Sequence, residues 1–479
     1  MNAPEPIPLT RAAGATLTEQ IAAHFGERIR QRLLAPGSRL PSVRDCARRH
    51  AVSPHTVVAA YDQLLAQGLV EARRQRGFFV RESARPAGLP AGTTPGSRAT
   101  TASPTRVAPV DATALIRGMF HGASDLPAPG LGTLPPDWLD LPLLASALRR
   151  VLSHGDSALA LQYGQPAGDS RLREALVTKL ADFGVRTRAA QIVTATGATH
   201  ALDIVSRALL APGDAVLVDE PGWAVEYARL TQLGMRLLPV PRGADGPDLE
   251  VMATLAREHR PRLYVTVSVL HNPTGHSLTL GQAHQVLKLA EAHDFRIVED
   301  DTYAHLAPAH LPRLAALDGL QRTLYVSGFS KILTPSWRVG YVAAPPDLVE
   351  RLIDVKLLST LTTPAVLEQA VAHCLEQGSL RRHAERVVAR LDAARDRSVQ
   401  LALAHGCRFV SPPQGLFGWV DAGCDTEPLS LDLLDQGWLL APGHLFHATR
   451  RPSSLMRINF ATSQEARFWK ALAAARQNQ

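Results

Sequence analysis

The chain has 479 residues, of which 46% are hydrophobic and 20% are charged. This composition is typical of a globular protein with about three domains, and it excludes a chain that is disordered throughout. No apolar run approaches the ~18 residues that a membrane-spanning helix needs, and residues 1–10 lack a signal-peptide pattern, so we expect a cytoplasmic protein. The four cysteines lie far apart and no histidine stands at metal-ligand spacing, which favours reduced packing residues and predicts no metal site.

The basic charge is concentrated at the N-terminus. Residues 1–81 contain twelve arginines, no lysine and six acidic residues, so this segment carries +6 of the formal net charge of +7. A surface that binds nucleic-acid phosphates is therefore expected in this segment.

Residues 1–81 have the pattern of a winged helix-turn-helix domain. Apolar residues recur every fourth position from Leu17 to Leu33, after a capping-box pattern in which Thr16 precedes Glu19 by three residues. Tyr61 lies in phase with the apolar side of a third helix, which favours a core role for it. The predicted elements after the first helix are helices over Ser42–His50 and from Ser53 to about Ala66, and strands over Leu69–Ala72 and Gly77–Val80.

A linker is predicted after this domain. Between Glu82 and Val110, 16 of 29 residues are Pro, Gly, Ser or Thr, and almost no large side chain is available for burial. We assign residues 82–112 to the linker and residues 113–479 to a second folded unit.

The second unit alternates strand-like apolar runs with amphipathic helices, which predicts an α/β fold with a mostly parallel sheet. In such sheets, ligands bind beyond the carboxyl ends of the strands, so the segments that follow the apolar runs are the candidates for chemistry. The runs in question are Ala215–Val218, Leu263–Leu270, Arg296–Val298 and Thr323–Val326.

Lys331 stands out among the five lysines of the chain. Lys179, Lys288, Lys356 and Lys470 lie in helix-like surroundings, where a solvated amine is expected, whereas Lys331 follows the run TLYVSGFS at a predicted strand end. Desolvation in a crevice lowers the pKa of an amine and makes it a nucleophile for an aldehyde such as that of pyridoxal phosphate. A solvated surface role for Lys331 is the alternative.

The other groups that pyridoxal phosphate needs also follow predicted strands. Asp300 is a candidate partner of the pyridine nitrogen, Tyr303 and Asn272 are candidate donors to the phenolic oxygen, and Trp223 is a candidate ring platform. A small-residue turn at a helix start and one arginine are candidate phosphate ligands: Gly197, Ala198, Thr199 and Arg338.

Residues 115–475 resemble the fold-type I aminotransferases. The segment SGFSKILTPSWRVGY is similar to the lysine segment of that superfamily, and HNPTG and EDDTY are similar to its Asn and Asp/Tyr segments, in the same order. The resemblance implies that Lys331 holds the cofactor covalently, that Arg457 binds the substrate carboxylate, and that Tyr163 reaches the phosphate of a neighbouring subunit. Gly328 stands where the family often has Ser or Thr, which leaves Ser327 and Ser330 as alternative phosphate contacts.

The segment from Arg39 to Val80 resembles the DNA-binding domain of the GntR regulators. The combination with an aminotransferase-like body is similar to the MocR-type regulators. The resemblance implies DNA contacts from two helices and a wing, by Arg44, Ser53, His55, Thr56, Arg73, Arg74 and Arg76. Pro54 stands where relatives often have an arginine, a departure that weakens base readout.

Simpler roles remain for several of these residues. Arg44, with its neighbours on the same helix, is also compatible with a solvated helix face. Arg457 is compatible with a structural ion pair, and Trp223 with packing. The chain has no Walker A or GxGxxG pattern, so nucleotide binding has no support.

These patterns lead to two hypotheses from different classes. In the first, the protein is a regulator that binds pyridoxal phosphate and double-stranded operator DNA, and it senses a small amine, an amino acid or pyridoxal phosphate itself. In the second, it is a working aminotransferase with an appended DNA-binding domain. Both predict a head-to-tail homodimer, and neither involves a membrane.

Overall fold

A computed structural model describes residues 14–30, 34, 37, 39–73, 76–81, 128–154, 161–449 and 451–477. The described chain forms two compact units. One contains the described residues up to Arg81 together with Ser430–Leu439, and the other contains those from Ala128 to Leu429 and from Leu440 onward. The predicted linker over residues 82–112 lies outside the described residues.

The first unit contains the three predicted helices and the hairpin. Helix α1 begins as the capping box predicts: the Glu19 amide donates to Thr16 Oγ1 at 3.3 Å, and the Thr16 amide donates to Glu19 Oε2 at 2.7 Å. Helix α1 ends at Arg30, and the predicted continuation to Leu33 lies outside the described residues. The elements are α1 (Leu17–Arg30), α2 (Val43–Arg49), α3 (Pro54–Ala66), β1 (Val70–Arg73) and β2 (Gly77–Val80).

The core of the helical part of this unit forms around Tyr61, as predicted. Its side chain is fully buried, its ring lies edge-on to the Phe25 ring at 5.7 Å, and its hydroxyl donates to the Pro41 carbonyl at 3.0 Å. A buried tyrosine hydroxyl needs such a partner, since an unpaired polar group in an apolar core costs about 1–3 kcal/mol. Tyr61 is therefore a core residue that joins the helices of this unit.

The second unit is built on a mixed eight-stranded sheet, of which the central part is parallel. The strand order is β3-β10-β9-β8-β7-β4-β5-β6; the pairs β5–β4, β4–β7, β7–β8 and β8–β9 are parallel, whereas β10 runs antiparallel to both β9 and β3. The prediction of a mostly parallel sheet is confirmed. The strands are β3 (Ile192–Ala195), β4 (Ala215–Glu220), β5 (Arg236–Gly243), β6 (Gly246–Pro247), β7 (Leu263–Thr266), β8 (Arg296–Asp300), β9 (Thr323–Gly328) and β10 (Gly340–Ala343).

Helices cover both faces of this sheet, which explains why the central strands read as continuous apolar runs. The core strands β3, β7 and β9 are buried at every position. The helices that follow β2 along the chain are α4 (Leu141–His154), α5 (Ser170–Asp182), α6 (Ala198–Leu209), α7 (Ala224–Gln232), α8 (Leu249–His259), α9 (Leu280–Ala292), α10 (Leu314–Asp318), α11 (Val349–Thr360), α12 (Ala365–Glu376), α13 (Ser379–Ala404), α14 (Thr426–Asp435) and α15 (Ala466–Arg476). Of these, α14 belongs to the first unit from Ser430 onward.

A second, antiparallel sheet is formed by the C-terminal part of the chain. Its strand order is β11-β12-β14-β13, and its central strand β14 contains Arg457. The strands are β11 (Arg408–Phe409), β12 (Phe417–Asp421), β13 (Ala441–Pro442) and β14 (Leu455–Asn459).

The predicted strand over Leu263–Leu270 is shorter in the structure. Strand β7 ends at Thr266, and the chain then turns: Leu270 adopts a left-handed φ of 50°, and the Gly275 amide donates to the His271 carbonyl at 2.6 Å. The apolar character of residues 267–270 reflects burial in the loop and not strand pairing, which periodicity alone does not distinguish.

No helix in the described ranges is long and apolar enough to cross a membrane. Within the same residues, no three His, Cys, Asp or Glu side chains gather as metal ligands. All four cysteines are free, and Cys46, Cys374 and Cys407 are buried, as expected for packing residues.

Candidate cofactor site and nucleic-acid interface

The predicted strand-end residues meet at one edge of the large sheet. Because β7, β8 and β9 are parallel neighbours, the segments after them lie side by side. These segments contain Asn272, Asp300 and Lys331. Three residues that are distant in sequence are therefore brought to one crevice by strand order.

Lys331 is partly buried in this crevice. Burial, together with the positive charges of Arg457 and Arg338, lowers the pKa of its amine to about 8, while Asp300 acts in the opposite direction. A substantial fraction of the Lys331 amine is therefore neutral near pH 8, as a nucleophile for an aldehyde requires.

Asp300 is buried at the end of β8, and Thr302 orients it. The Thr302 amide donates to Asp300 Oδ1 at 3.1 Å, and the Thr302 hydroxyl donates to the same oxygen. Burial, together with the negative charge of Glu226, raises the pKa of the Asp300 carboxyl to about 6, while the Thr302 hydroxyl acts in the opposite direction. The carboxyl is thus suited to share a proton with a basic ring nitrogen.

Tyr303 and Asn272 lie together beside Asp300. The Asn272 side-chain amide donates to the Tyr303 hydroxyl at 3.4 Å, and both residues are buried. Burial raises the pKa of the Tyr303 phenol above its ordinary value, so the phenol keeps its proton and remains a donor. The two predicted donors to a phenolic oxygen are therefore adjacent.

Trp223 precedes helix α7 and lines the same cavity as Asp300 and Asn272. It also packs partly against the core of the sheet. Trp223 can therefore pack against the core and also serve as the platform for a cofactor ring, the two roles considered from the sequence.

The start of helix α6 forms a cradle with Arg338. Gly197 caps the helix with a φ of 86°, and a Cβ at this position would come within 2.5 Å of Arg338 Nη2. The free amide groups of the first helical turn, which includes Ala198 and Thr199, attract anions. Arg338 Nη2 donates to the Thr196 carbonyl at 3.1 Å, and Nη1 donates to Ser330 Oγ at 3.2 Å.

The structure distinguishes the two serines that the sequence left open. Ser327 is buried in β9, and its hydroxyl donates to the Asp301 carbonyl at 2.8 Å. Ser330 lies at the Arg338 guanidinium instead. Ser330 is therefore the serine of the cradle.

Arg457 is 4% exposed and extends from β14 toward the crevice. Its Nη1 donates to Asn272 Oδ1 at 2.9 Å and its Nη2 donates to the Gly130 carbonyl at 2.6 Å, whereas its Nε has no hydrogen-bond partner. The rings of Phe417 and Phe446 flank the guanidinium, at 4.5 and 5.1 Å. Burial lowers the pKa of this arginine to about 10.

Among the described residues, the partners of the Arg457 guanidinium are an amide oxygen and a backbone carbonyl, and no ion pair with a carboxylate is recorded. The described residues therefore give no support to the structural ion pair considered from the sequence. A buried guanidinium with an unpaired N–H is suited to an external carboxylate.

Tyr163 lies apart from the crevice in this chain, with 80% of its surface exposed. The neighbouring segment is anchored by the Gly164 amide, which donates to Thr362 Oγ1 at 3.1 Å.

Lys356 corrects one expectation from the sequence. It is fully buried, not solvated, and its Nζ donates to Thr194 Oγ1 at 3.1 Å and to Thr363 Oγ1 at 3.5 Å. Burial lowers its pKa to about 8, as for Lys331. A helical pattern at one lysine does not reveal which neighbouring elements cover it.

Sequence reasoning also missed two residues beside Asp300. Thr302 had a local signal, because Asp followed two residues later by a hydroxyl residue is typical of a side-chain-to-backbone turn. Glu226 had no signal of this kind, since its proximity to Asp300 depends on the packing of α7 beside the sheet.

The predicted DNA-binding residues lie on the exterior of the first unit. Arg44, Arg73, Arg76 and His55 are exposed, whereas Arg74 lies outside the described residues. Arg73 Nε donates to Glu71 Oε1 at 2.7 Å, and its guanidinium stacks on the Phe79 ring at 4.5 Å.

Ser53 caps helix α3. Its Oγ accepts from the Thr56 amide at 3.1 Å and lies 2.8 Å from the Thr56 hydroxyl. The two hydroxyls are therefore partly engaged with each other, while His55 between them has an exposed imidazole at the helix start.

Comparison with known proteins gives two family matches. Residues 133–474 match "Aminotransferase class I and II", and residues 17–80 match "Bacterial regulatory proteins, gntR family".

Individual relatives match most of the chain. The HTH-type transcriptional regulator YisV of Bacillus subtilis (strain 168) is 26% identical, over 95% of this chain and 94% of its own. The probable rhizopine catabolism regulatory protein MocR of Rhizobium meliloti is 30% identical, over 75% of this chain and 73% of its own.

A solved structure matches the second unit. LysN, an alpha-aminoadipate aminotransferase from Thermus thermophilus complexed with N-(5'-phosphopyridoxyl)-L-leucine, aligns with a TM-score of 0.70 and 26% identity, over 76% of this chain and 94% of its own.

Proposed function

Because the chain belongs to the aminotransferase class I and II family and, through its GntR domain, to the MocR-type regulators, we propose that it is a transcriptional regulator that binds pyridoxal phosphate. Its N-terminal domain binds operator DNA in the cytoplasm. Its aminotransferase-like domain senses a small amine, an amino acid or pyridoxal phosphate. In this proposal the domains are residues 1–81 and 113–479, joined by the linker over residues 82–112.

The described residues fit pyridoxal phosphate at each of its polar groups. The α6 cradle with Arg338 and Ser330 suits a phosphate, and Asp300 suits a ring nitrogen. Tyr303 and Asn272 suit the phenolic oxygen. The family to which the second unit belongs is PLP-dependent, and the LysN structure contains a phosphopyridoxyl ligand. The proposal rests on one observation: these candidate cofactor-binding residues occur in the same chain as an N-terminal DNA-binding domain.

The residues have distinct parts in binding. Bound pyridoxal phosphate supplies an aldehyde that condenses with primary amines and a ring that withdraws electrons from them. Lys331 would present a neutral amine to the aldehyde, and Asp300 would hold a proton at the ring nitrogen. Trp223, which lines the same cavity, would stack on the ring and shield it from water. Ala198 and Thr199 would hold the phosphate through their free amides next to Arg338, while Gly197, whose own amide donates to the Ala195 carbonyl at 2.8 Å, leaves room for the guanidinium.

Arg457 recognises the effector. Its buried guanidinium has an unpaired Nε and lies beside Asn272, so a carboxylate there gains charge-assisted hydrogen bonds in a low-dielectric site. An amino-acid effector would place its amine toward Lys331 and its carboxylate at Arg457. We infer that the signal for DNA binding is the replacement of the Lys331 amine by the amine of the effector at this site.

DNA recognition is assigned to the exterior of the first unit. Arg73, Arg74 and Arg76 on the wing bind phosphates or the minor groove, and Arg44 on α2 binds phosphate. His55 and Thr56 at the start of α3 contact base edges, next to the cap residue Ser53. Phosphate contacts supply affinity and base contacts supply discrimination.

The working unit is a head-to-tail homodimer. The exposed side chains of Leu161, Tyr163 and Leu358, between 80% and 90% accessible in one chain, support this assignment because large apolar groups at such exposure favour coverage by a partner. A dimer also presents two DNA-binding domains to two half-sites.

A working aminotransferase is the second candidate, favoured by one observation. Lys331, Asp300 and Arg457, which suit a reacting amine, a ring nitrogen and a substrate carboxylate, lie in one crevice. A regulator needs Lys331 and Asp300 to bind the cofactor and uses Arg457 to bind an effector. An enzyme uses all three residues at every turnover.

One set of measurements separates the candidates. The purified full-length protein is titrated with amino acids and amines while its cofactor absorbance is recorded, and keto-acid release and operator binding are measured in parallel. Absorbance changes with specific DNA binding and negligible keto-acid release support the regulator. Multiple turnovers without a DNA complex support the enzyme and refute the regulator.

A further inference from the structure

A second carboxylate lies in the cavity that contains Asp300. Glu226, on α7, lines this cavity together with Asp300, Trp223 and Asn272. Only 5% of its surface is exposed. A buried carboxylate destabilises the protein unless a counter-charge pairs with it. Its position at a cofactor pocket points to a functional role.

The counter-charge of Glu226 comes from its own helix. Arg229 Nε donates to Glu226 Oε2 at 3.0 Å, and Arg229 Nη2 forms a second bond to Oε1. The same guanidinium donates to Ser206 Oγ at 3.0 Å and lies 3.5 Å from Asp203. Arg229 is thus shared between two carboxylates, of which only Glu226 lines the Asp300 cavity.

Asp300 responds to this charge. Its Oδ1 is engaged by Thr302; burial is the main cause that raises the pKa of the Asp300 carboxyl, and the negative charge of Glu226 acts in the same direction. The same field acts on any proton that Asp300 shares with a ring nitrogen. A second carboxylate therefore stabilises a positive charge on that nitrogen.

We propose that Glu226 is a positioning residue that acts through Asp300: its carboxylate lines the same cavity as Asp300 and would help to hold the ring nitrogen of the bound cofactor in its protonated form. This inference rests on the proposed binding of pyridoxal phosphate. Asp300 provides the hydrogen bond, and Glu226 provides the additional field. Arg229 prevents the two acids from competing for one proton, because it is hydrogen-bonded to Glu226.

Other titratable groups also lie near Asp300 and remain in place when Glu226 is changed. Asp301 and Tyr303 lie on the same segment as Asp300, and Lys331 lies on the loop after β9. Asp219 on β4 and His271 on the loop after β7 also line the cavity. Of these, Asp219 already has partners in Arg242, Tyr264 and Thr266. The effect of Glu226 is therefore measured as a difference against a constant background.

The test uses full-length protein loaded with pyridoxal phosphate that carries ¹⁵N in its ring. The ¹⁵N chemical shift reports protonation of the ring nitrogen directly and is followed against pH. We expect Glu226→Gln to lower the protonation midpoint by about one pH unit, since a nearby charge typically shifts a pKa by one or more units. Cofactor affinity should fall with it at high pH.

Three further variants distinguish the charge from the shape of Glu226. Glu226→Asp keeps the charge and should titrate like the wild type, and Glu226→Ala should shift in the same direction as the Gln variant. Asp203→Asn is the matched control, because it removes a negative charge from the same Arg229 without facing Asp300, and its midpoint should stay unchanged.

The outcomes are distinct. A midpoint in Glu226→Gln equal to that of the wild type overturns the inference, as does an equal shift in Asp203→Asn. If the wild-type protein takes up no pyridoxal phosphate, the proposed function itself fails. If the wild type loads and only the Glu226 effect is missing, the proposed function stands without this inference.

Discussion

Two lysines with the same pKa should differ in their reaction with pyridoxal phosphate. Burial lowers the pKa of both Lys331 and Lys356 to about 8. Lys356 is fully buried, and its amine donates to Thr194 and Thr363. Lys331 lies in the crevice with Asp300, so only Lys331 should be labelled when borohydride fixes the cofactor on the protein.

The expected difference in reactivity between Lys331 and an ordinary lysine follows from the shift of the Lys331 pKa from 10.5 to about 8. At pH 7, about one tenth of an amine with a pKa of 8 is neutral, against about 3 in 10,000 for an ordinary lysine, so the reactive fraction is roughly 300-fold larger. Because the pKa is lowered, the neutral form gains population as the pH rises. The rate of uptake should therefore increase about tenfold per pH unit below 8 and level off above it.

The assay is rapid-mixing absorbance of cofactor-stripped full-length protein with pyridoxal phosphate between pH 6 and pH 9.5. Borohydride reduction and peptide mapping then identify the labelled lysine. Lys331→Ala should abolish both signals. Lys288→Ala, which changes an exposed lysine of α9, is the control and should leave both unchanged.

Two results would contradict this reasoning. A label on Lys356 would mean that a lowered pKa, and not access to the crevice, selects the lysine. An uptake rate that does not change between pH 6 and pH 8 would mean that burial does not set the protonation of Lys331.

Further expectations follow from other parts of the molecule. Thr302→Val removes a hydroxyl donor that lowers the pKa of Asp300, so that pKa should rise above about 6 and cofactor affinity should fall several-fold more at pH 6 than at pH 8, as measured by equilibrium titration. Arg76→Gln should weaken binding to all DNA sequences alike and reduce the salt slope by about one unit, whereas His55→Ala should cost about 1–3 kcal/mol at the preferred operator and less on random DNA, both measured by fluorescence anisotropy. Sedimentation of the loaded protein at micromolar concentration should show a dimer, and Tyr163→Ala should weaken cofactor retention in that dimer; a stable loaded monomer is incompatible with the assigned role of Tyr163.

Local sequence patterns determined the helices of the DNA-binding domain. The capping box at Thr16 and Glu19 and the core role of Tyr61 were both predictable, because capping and 3.6-residue periodicity involve residues within one or two turns. The hairpin strands were likewise predicted to within a residue.

The cofactor crevice was predictable for a different reason. In a parallel sheet, every strand points its carboxyl end to the same edge, so residues that follow apolar runs must lie near each other. This rule alone associated Lys331, Asp300 and Asn272, which are separated by up to 59 positions in the chain. This rule depends only on the order of strands and loops along the chain and not on the positions of individual side chains.

Tertiary structure alone decided where individual side chains point and what covers them. Lys356 has the sequence surroundings of a solvated helical lysine, yet it is buried against Thr194. Ser327 and Ser330 differ by only three positions, but one donates to a backbone carbonyl and the other lies at Arg338. The proximity of Glu226 to Asp300 likewise has no counterpart along the chain. Such contacts join elements through packing, and the free energy of packing depends on the shapes and charges of partners that are distant in sequence, so no local pattern records them.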